Sequence, residues 1–526
     1  MKLQLTITAA IFLTFGYKSY SQANSPYNIK VSAEFESPKK HLVMNPVPYG
    51  NDGIIQVNAK NTESFSFQLF NNDLKFVKEN TVSTDGKLNE RVNFNRFQNF
   101  ENKTYLFVRD VFRETENEGI SALEFSPKEL DFKGNSRNLF KSSGKVRSYS
   151  YGFYKSEDEK NFMYTYELIS KEKRDKLNKD IIGMHIFDEN LGKIWGAEIE
   201  MPYTESKMDN WGYTLGDDGS VYLLAKVFND DSRKESIDGL PNFHFEVIMY
   251  NAENISPKII PVKLDNYFPK EAYIYENEKH EIFVSGFYSK EYNKPIDGAY
   301  MITINTKQGM AMKPEGGYFE FPSEIIKSFM SDREKKNADK KEAKGTDLGI
   351  DFLKIRAIYK MKNGSTTIVS EQFHVVTRTY YNGRTTQTTY DTYAEDVFLM
   401  NIDEGGKMKW VKKIPKSQHS NDAYGPQLSI KSYAVDNDLH VFYVDNLKNL
   451  NLPVTEAPKW HEQGRGGFLT GVKIDENGNQ SKYNLGEIEK YETNFYIREF
   501  VDGGRNNIIS SERKRKMNSL YSIEIK

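Results

Sequence analysis

One phrase recurs along this chain and limits what it can fold into. It reads IIGMHIFDENLGKIWGAEIEMP at Ile181–Pro202 and DVFLMNIDEGGKMKWVKKIP at Asp396–Pro415, and an eroded GFLTGVKIDENGNQSKYNLGEI at Gly467–Ile488. Alternating apolar residues rise to a polar, Gly-bearing turn, and a second alternating run leaves it, the pattern of a β-hairpin. Further copies begin at Ser64 (SFSFQLFNNDLKFVKE), Ile120 (ISALEFSPKELDFKG), Phe243 (FHFEVIMYNAENISPKIIPVKL) and Gly298 (GAYMITINTKQGMAM). A second kind of hairpin alternates with the first, as in GYTLGDDGSVYLLAKVF from Gly212 and AIYKMKNGSTTIVSEQF from Ala357. Asp-Gly or Asn-Gly sits where these tight turns need positive φ.

Two hairpins make a unit of four strands, A to D, and a lone four-stranded sheet cannot cover both of its faces. Neighbouring units must stack, and a ring removes the end faces. The third strand of each unit begins near residues 64, 118, 180, 243, 298, 395, 466 and 518. The longest gap, after 298, marks an insertion. The expected fold is all-β, a closed β-propeller of about eight four-stranded blades, with seven as the alternative because the first two units are faint. The last unit, NSLYSIEIK, has a C strand and no D. An extra strand near the N-terminus, NIKVSAEFES from Asn28, is expected to supply it and latch the ring.

The cadence FDENLGKIW and NIDEGGKMKW, an Asp, a turn, Gly-Lys and then Trp195 or Trp410, resembles quinoprotein-type repeats, and the general repeat resembles WD-like propellers. The Trp form occurs twice, and Lys482 and Tyr483 replace it in the third copy. The resemblance implies the fold. It implies no quinone, and no cofactor is expected.

Composition agrees. Tyr 33 and Phe 34 suit half-buried pleated surfaces, and the near balance of 74 acids against 72 bases, net −2, sets up no field toward nucleic acid. With no Cys there is neither disulfide nor thiolate metal site, so stability must come from a large core. Lys2, the apolar Leu3–Phe15 and the small residues at Ser19-Tyr20-Ser21 read as an export signal over residues 1–21. That apolar run is too short for a bilayer of ~30 Å, and no membrane span is expected. Residues 22–526 then form one propeller domain, periplasmic or extracellular, expected as a monomer.

Two segments fall outside the repeat. Residues 322–346 begin with an N-cap expected at Ser323, place Ile325, Ile326, Phe329 and Met330 on one helical face, and continue as a charged run expected to be solvated and mobile. Residues 376–396, VTRTYYNGRTTQTTYDTYAED, centre on Asn382-Gly383 and are expected to project as a two-stranded ribbon. Arg378, Tyr380, Tyr381, Arg384, Tyr390 and Tyr393 on it are residue types that protein interfaces favour, so the ribbon is a candidate partner surface.

Linear catalytic signatures are missing: there is no His-Glu-x-x-His, Gly-x-Ser-x-Gly or P-loop. DENGNQSKYNLGE from Asp475 has Gln480 and Gly486 where a calcium loop needs Gly and Glu, so it reads as a hairpin tip. His280 and His440 both precede B-strand apolar runs, HEIFV and HVFYV, so a shared structural role is expected and no metal site. Asp217-Asp218 and the Glu276/Glu278 pair are expected at turn tips.

Innermost A strands line a propeller's channel, and theirs are the candidate ligand-binding residues: Arg96, Arg147, Tyr149, Trp211, Tyr213, Tyr273, Arg356, Lys431 and Arg498. Converging cations repel unless an anion or carboxylates intervene, and Arg suits carboxylate or phosphate. No motif unites nucleophile, base and orienter. The sequence therefore points to a non-catalytic recognition propeller for a glycan, anionic ligand or protein partner. The alternative is a hydrolase or lyase acting on acidic polysaccharide.

Overall fold

The computed structural model describes residues 18–20 and 25–526, apart from 39–40, 51, 61–63, 89–91, 102, 113, 170–177, 278, 313–316, 346–347, 382, 423–424, 426, 453–455, 464–465, 492–494 and 515–516. The export-signal segment therefore lies largely outside the described residues, as does Glu278. Within them the chain is all-β and propeller-like, a succession of antiparallel sheets of four or more strands.

Among the described residues eight such sheets follow one another, with A-strand segments at 42–49, 92–99, 152–155, 208–215, 268–276, 353–360, 431–435 and 501–504. In all eight the A, B and C strands pair in chain order, so the hairpins deduced from the repeat are the hairpins that form; in the eighth an N-terminal strand takes the place outside C. The eight C strands start at Ser64, Asn117, Ile181, Phe243, Gly298, Thr386, Phe468 and Met517. The B strands Val221–Phe228 and Ile282–Ser289 are buried at every position, because both of their faces meet a neighbouring sheet. The outer strand Phe76–Ser83 is mostly exposed.

The core is divided among the gaps between sheets. Leu106 and Phe67 share a cluster across the first and second, Phe107 and Tyr164 across the second and third, and Ile186 and Leu223 across the third and fourth. The pattern continues with Val247 and Val284, Met301 and Ile368, Val369 and Val441, then Phe442 and Ile523. An eighth cluster joins Ile509 and Leu520 of the last sheet to Ile54 and Phe70 of the first. Each large apolar side chain so buried contributes about 1.5–3 kcal/mol, which is how a chain without disulfides is held. Lys360 Nζ of the sixth sheet also reaches Glu157 Oε2 of the third at 2.8 Å, a contact that a straight stack of sheets would forbid.

Tyr27–Val31 pairs antiparallel with the final strand, Ile29 opposite Ile523, and Phe35–Glu36 pairs with the start of that same strand. The first residue runs ahead of the expected Asn28. Lys18–Tyr20 adds a further edge outside Tyr27–Val31. The repeat's Trp has a use as well. Trp195 Nε1 donates to Gly219 O of the next sheet at 2.8 Å, and Trp410 Nε1 donates to Glu476 O at 3.1 Å. Gly478 beside Trp410 has φ +78, and a Cβ there would stand 2.9 Å from the indole.

The insertion differs from expectation in two ways. Its first helix, α1 (Ser323–Lys327), has Pro322 in the cap position with no side-chain bond, so Ser323 is the first helical residue. The charged run forms a second helix, α2 (Asp332–Glu342), because Ser331 and Glu334 make a reciprocal capping box. Ile326 is buried against the sheets, and Ile325 and Met330 pack beside it. Phe329 and Met330 lie beyond the end of α1.

Candidate ligand-binding site

The sixth sheet is unlike the others at one end. Its B and C strands, Thr366–Tyr381 and Thr386–Ile402, are 16 and 17 residues long and stay paired, across one register shift between Glu371 and Phe373, to Tyr381 opposite Thr386. The expected ribbon therefore forms; Asn382 of its turn lies outside the described residues, and Gly383 has φ +88. At the base of the ribbon two short strands widen the sheet. Gln418–Ser420 pairs with Thr392–Ala394, and His461–Glu462 pairs with Gln418–His419.

This widening lines up one ring per strand. Phe352, just before the A strand, stacks on His374 at 4.4 Å between centroids, and His374 stacks on Tyr393 at 4.8 Å. Tyr393 meets His419 at 4.9 Å, and His419 stacks on Trp460 at 5.1 Å. His374 is directly opposite Tyr393, and Tyr393 opposite His419, so sheet register puts the rings on one face. The ladder runs across the sheet from the A-strand edge to the edge formed by His461–Glu462. Its inner members are half-buried or buried, while the terminal Phe352 and Trp460 are 56% and 53% exposed and each has a face free of the ladder.

Trp460 opens on a cavity of about 690 Å³ that is also lined by Asn446, Lys448, Lys459, His461 and Glu462. Lys448 and Lys459 are exposed there, and among the described residues neither is paired with a carboxylate. His419 lies between two acids, Nε2 3.3 Å from Asp391 Oδ1 and Nδ1 3.5 Å from Glu462 Oε1. Burial pushes the neighbouring His461 down to about 4, so that imidazole is neutral at pH 7. Burial raises the Glu395 carboxyl, against the opposing pull of His374.

At the A-strand edge, Arg356 lies 4.4 Å and Arg498 5.6 Å from the centre of the Phe373 ring. Two of the expected cations therefore meet at one aromatic side chain. Below them Glu371 is fully buried. Arg356 Nε donates to it at 2.7 Å, Lys416 Nζ stands 2.9 Å away and Ser429 Oγ donates at 2.5 Å. Burial alone would raise this carboxyl, but Lys416 and Arg356 hold it below the usual range.

The remaining candidates are spread out. Arg498 sits in a short 3-10 turn, Ile497–Glu499, before the A strand rather than on it. Arg147 and Tyr149 likewise precede theirs, Gly152–Lys155; Arg147 pairs with Glu167 at 2.7 Å and Tyr149 is fully exposed. Trp211 packs on Phe245 of its own sheet and on the apolar cluster shared with the fifth, and Tyr213 packs on Tyr154 of the third. Arg96 lies over Phe153 at 4.6 Å, Tyr273 is exposed, and burial lowers Lys431. The ribbon's residues do not share a surface, because strand side chains alternate. Arg378, Tyr380 and Tyr393 continue the face of the ladder, with Arg378 3.4 Å from Asp391 and Tyr380 donating to Gln387 at 2.6 Å. Tyr381 and Tyr390 project from the opposite face, and Arg384 is in the turn.

The two histidines expected to be equivalent are not. Five residues separate the paired Glu276 and Ile282, while two separate Val435 and Asp438. His440 consequently lies inside a strand, buried against Tyr27, and His280 lies in an exposed turn. Glu276 is also no turn tip; it ends the A strand and is buried. Asp475 does cap a hairpin tip, accepting from the backbone of Asn477 and Asn479 at 2.9 Å.

No protein-family model and no curated protein matches the chain. Among solved structures it is similar to prolyl oligopeptidase B from Galerina marginata, at 10% identity and a TM-score of 0.36 over 94% of this chain. The match spans 55% of that enzyme, little more than half its length. Polysaccharide lyase Uly1 matches at 8% identity and TM-score 0.39, over 82% of this chain and 89% of that one. The WD40 domain of SCAP from fission yeast matches at 9% and 0.34, over 93% and 99%. With TM-scores below 0.5, none of them bears on the fold or chemistry read from the strand pairing and the side chains.

Proposed function

We propose that this chain is an exported, closed eight-bladed propeller that binds an acidic saccharide chain across its sixth blade. The ring reading is supported by eight successive sheets with eight shared apolar clusters, the last joining the final sheet to the first. Export rests on Lys2 and the apolar Leu3–Phe15.

The ladder from Phe352 to Trp460 carries the functional reading. Aromatic faces take up the apolar faces of sugar rings, and two such faces at the ends of a rigid ladder suit an extended chain better than a compact ligand. Lys448 and Lys459 beside Trp460 supply donors and positive charge for carboxylate or sulfate groups. The ribbon, which shares the ladder's face through Arg378 and Tyr380, extends this surface for a macromolecular partner bearing the saccharide. Binding of the purified chain to an array of neutral and acidic glycans tests the reading. Retention of acidic oligosaccharides should fall at least tenfold in Trp460→Ala and in Phe352→Ala. Equal binding by both variants, or binding to no acidic glycan, would refute it.

The enzyme alternative keeps one specific observation in its favour. His419 is held between Asp391 and Glu462 against the ring of Tyr393, an arrangement suited to proton transfer. Release of shortened or unsaturated saccharide that disappears in His419→Gln would turn the platform into a lyase or hydrolase.

A further inference from the structure

We propose that Asp217, Glu276 and His280 form a site for a divalent transition-metal ion of the zinc or manganese class, bridging the fourth and fifth sheets. Their ligand atoms lie within 4.8 Å of one another. Asp217 belongs to the A–B turn of one sheet; in the next, Glu276 leads into the corresponding turn and His280 lies near its far end.

Each carboxylate is aimed by a backbone N–H. Asp158 N donates to Asp217 Oδ1 at 3.1 Å, and Asp217 N donates to Glu276 Oε2 at 3.1 Å. The other oxygen of each acid is the one that converges on His280 Nδ1, Asp217 Oδ2 at 3.4 Å and Glu276 Oε1 at 3.5 Å. Those separations are long for an N–H···O hydrogen bond, which runs at about 2.7–3.2 Å. They match the spacing of ligands around one small ion, since tetrahedral bonds of about 2.0–2.1 Å set ligand atoms roughly 3.3–3.4 Å apart. Hydrogen bonds to the unused oxygen are also how proteins orient metal-binding carboxylates.

Charge points the same way. Glu276 is 5% exposed and Asp217 is 15% exposed at its side chain, and among the described residues no Lys or Arg pairs with either. A buried and a partly buried carboxylate without a fixed cation call for a proton, an imidazolium or a metal ion. Two oxygens and one imidazole nitrogen suit borderline ions better than calcium, which takes six to eight oxygens. His280 is 63% exposed, so an ion has access and keeps open positions. The ion would tie adjacent turns at the end of the sheets away from the ladder, so this proposal and the saccharide reading stand or fall separately.

The full chain, stripped with chelator, is titrated with Zn²⁺, Mn²⁺ and Ca²⁺ by calorimetry, and its melting is followed with and without each ion. The proposal predicts one Zn²⁺ equivalent lost, or weakened at least tenfold, in both His280→Gln and Asp217→Asn, with Ca²⁺ binding weaker than Zn²⁺. His280 is exposed, so His280→Gln should melt like the metal-free parent, and the zinc-induced rise in melting temperature should vanish. Zinc binding that either variant leaves unchanged, or no stoichiometric binding by the parent, overturns the site. A variant melting lower than the metal-free parent while binding zinc normally would show a structural ion pair only and also overturn it.

Discussion

Tyr27 Oη lies 2.9 Å from His440 Nδ1, and 413 positions separate the two residues. Burial pushes the Tyr27 phenol far above its ordinary value and His440 down to about 4. Both are neutral at pH 7, the phenol donating and the imidazole accepting. Edge contacts with Phe442 at 5.0 Å and Tyr483 at 5.5 Å fix the Tyr27 ring in the seventh sheet, while its backbone belongs to the eighth. The N-terminal strand thus binds two sheets at once.

Deleting residues 25–36 should expose the edge of Met517–Ile525 and empty the Tyr27 pocket. Hydrogen exchange in residues 501–526 is expected to accelerate by at least a hundredfold, with sheets three to five less affected. Unchanged protection there would show that the strand does not hold the last sheet. Tyr27→Phe removes only the hydroxyl and should cost about 1–2 kcal/mol, measured by denaturant unfolding.

His185, His440 and His461 are all buried, and burial lowers each to about 4 from an ordinary 6.5. Above pH 6.5 both folded and unfolded chains hold them neutral. As pH falls from 6.5 toward 4 only the unfolded chain takes up the protons, so stability declines through that window and levels off below it. Each fully buried imidazole accounts for up to about 3 kcal/mol of this loss. Glu167, raised to about 7 by burial and by Asp180, acts in the opposite sense. Comparison with His440→Gln isolates one imidazole: between pH 7.5 and 5 that variant should lose less stability than the parent. Identical losses would contradict the assignment.

The ribbon's outer residues contribute no core. Tyr381 and Tyr390 are 69% and 40% exposed, and Tyr380 is half-exposed. Replacing residues 377–390 by Asn-Gly should leave a cooperative melt within a few degrees of the parent while keeping His374 and Tyr393 in the ladder. Loss of cooperativity would place the ribbon in the fold's packing.

The strand plan was legible because each hairpin is written locally, by alternation and a turn with Gly or Asn, so that starts such as Ser64 and Phe243 could be read directly. The fourth strand of the last sheet was legible only by elimination. The ladder was not legible at all except for Tyr393. Phe352, His374, His419 and Trp460 come from separate strands, and Gln418–Ser420 and His461–Glu462 are too short to show a period. The A-strand cations were chosen on the premise that inner strands line a channel. Arg356 and Arg498 do meet at Phe373, but Trp211 and Tyr213 serve contacts between sheets, which a two-residue period cannot separate from the channel side. Asp217 and His280 escaped for another reason: turn lengths differ between units, so aligning His280 with His440 compared unlike positions.

The most direct test of the ligand face uses tryptophan fluorescence. Of the four tryptophans Trp460 is 53% exposed, and Trp195 is buried. Titrating the folded chain with acidic oligosaccharides of increasing length should give a saturable change in emission that strengthens with length and disappears in Trp460→Phe. A response that persists in Trp460→Phe, or none with any acidic oligosaccharide, would contradict saccharide binding at the ladder.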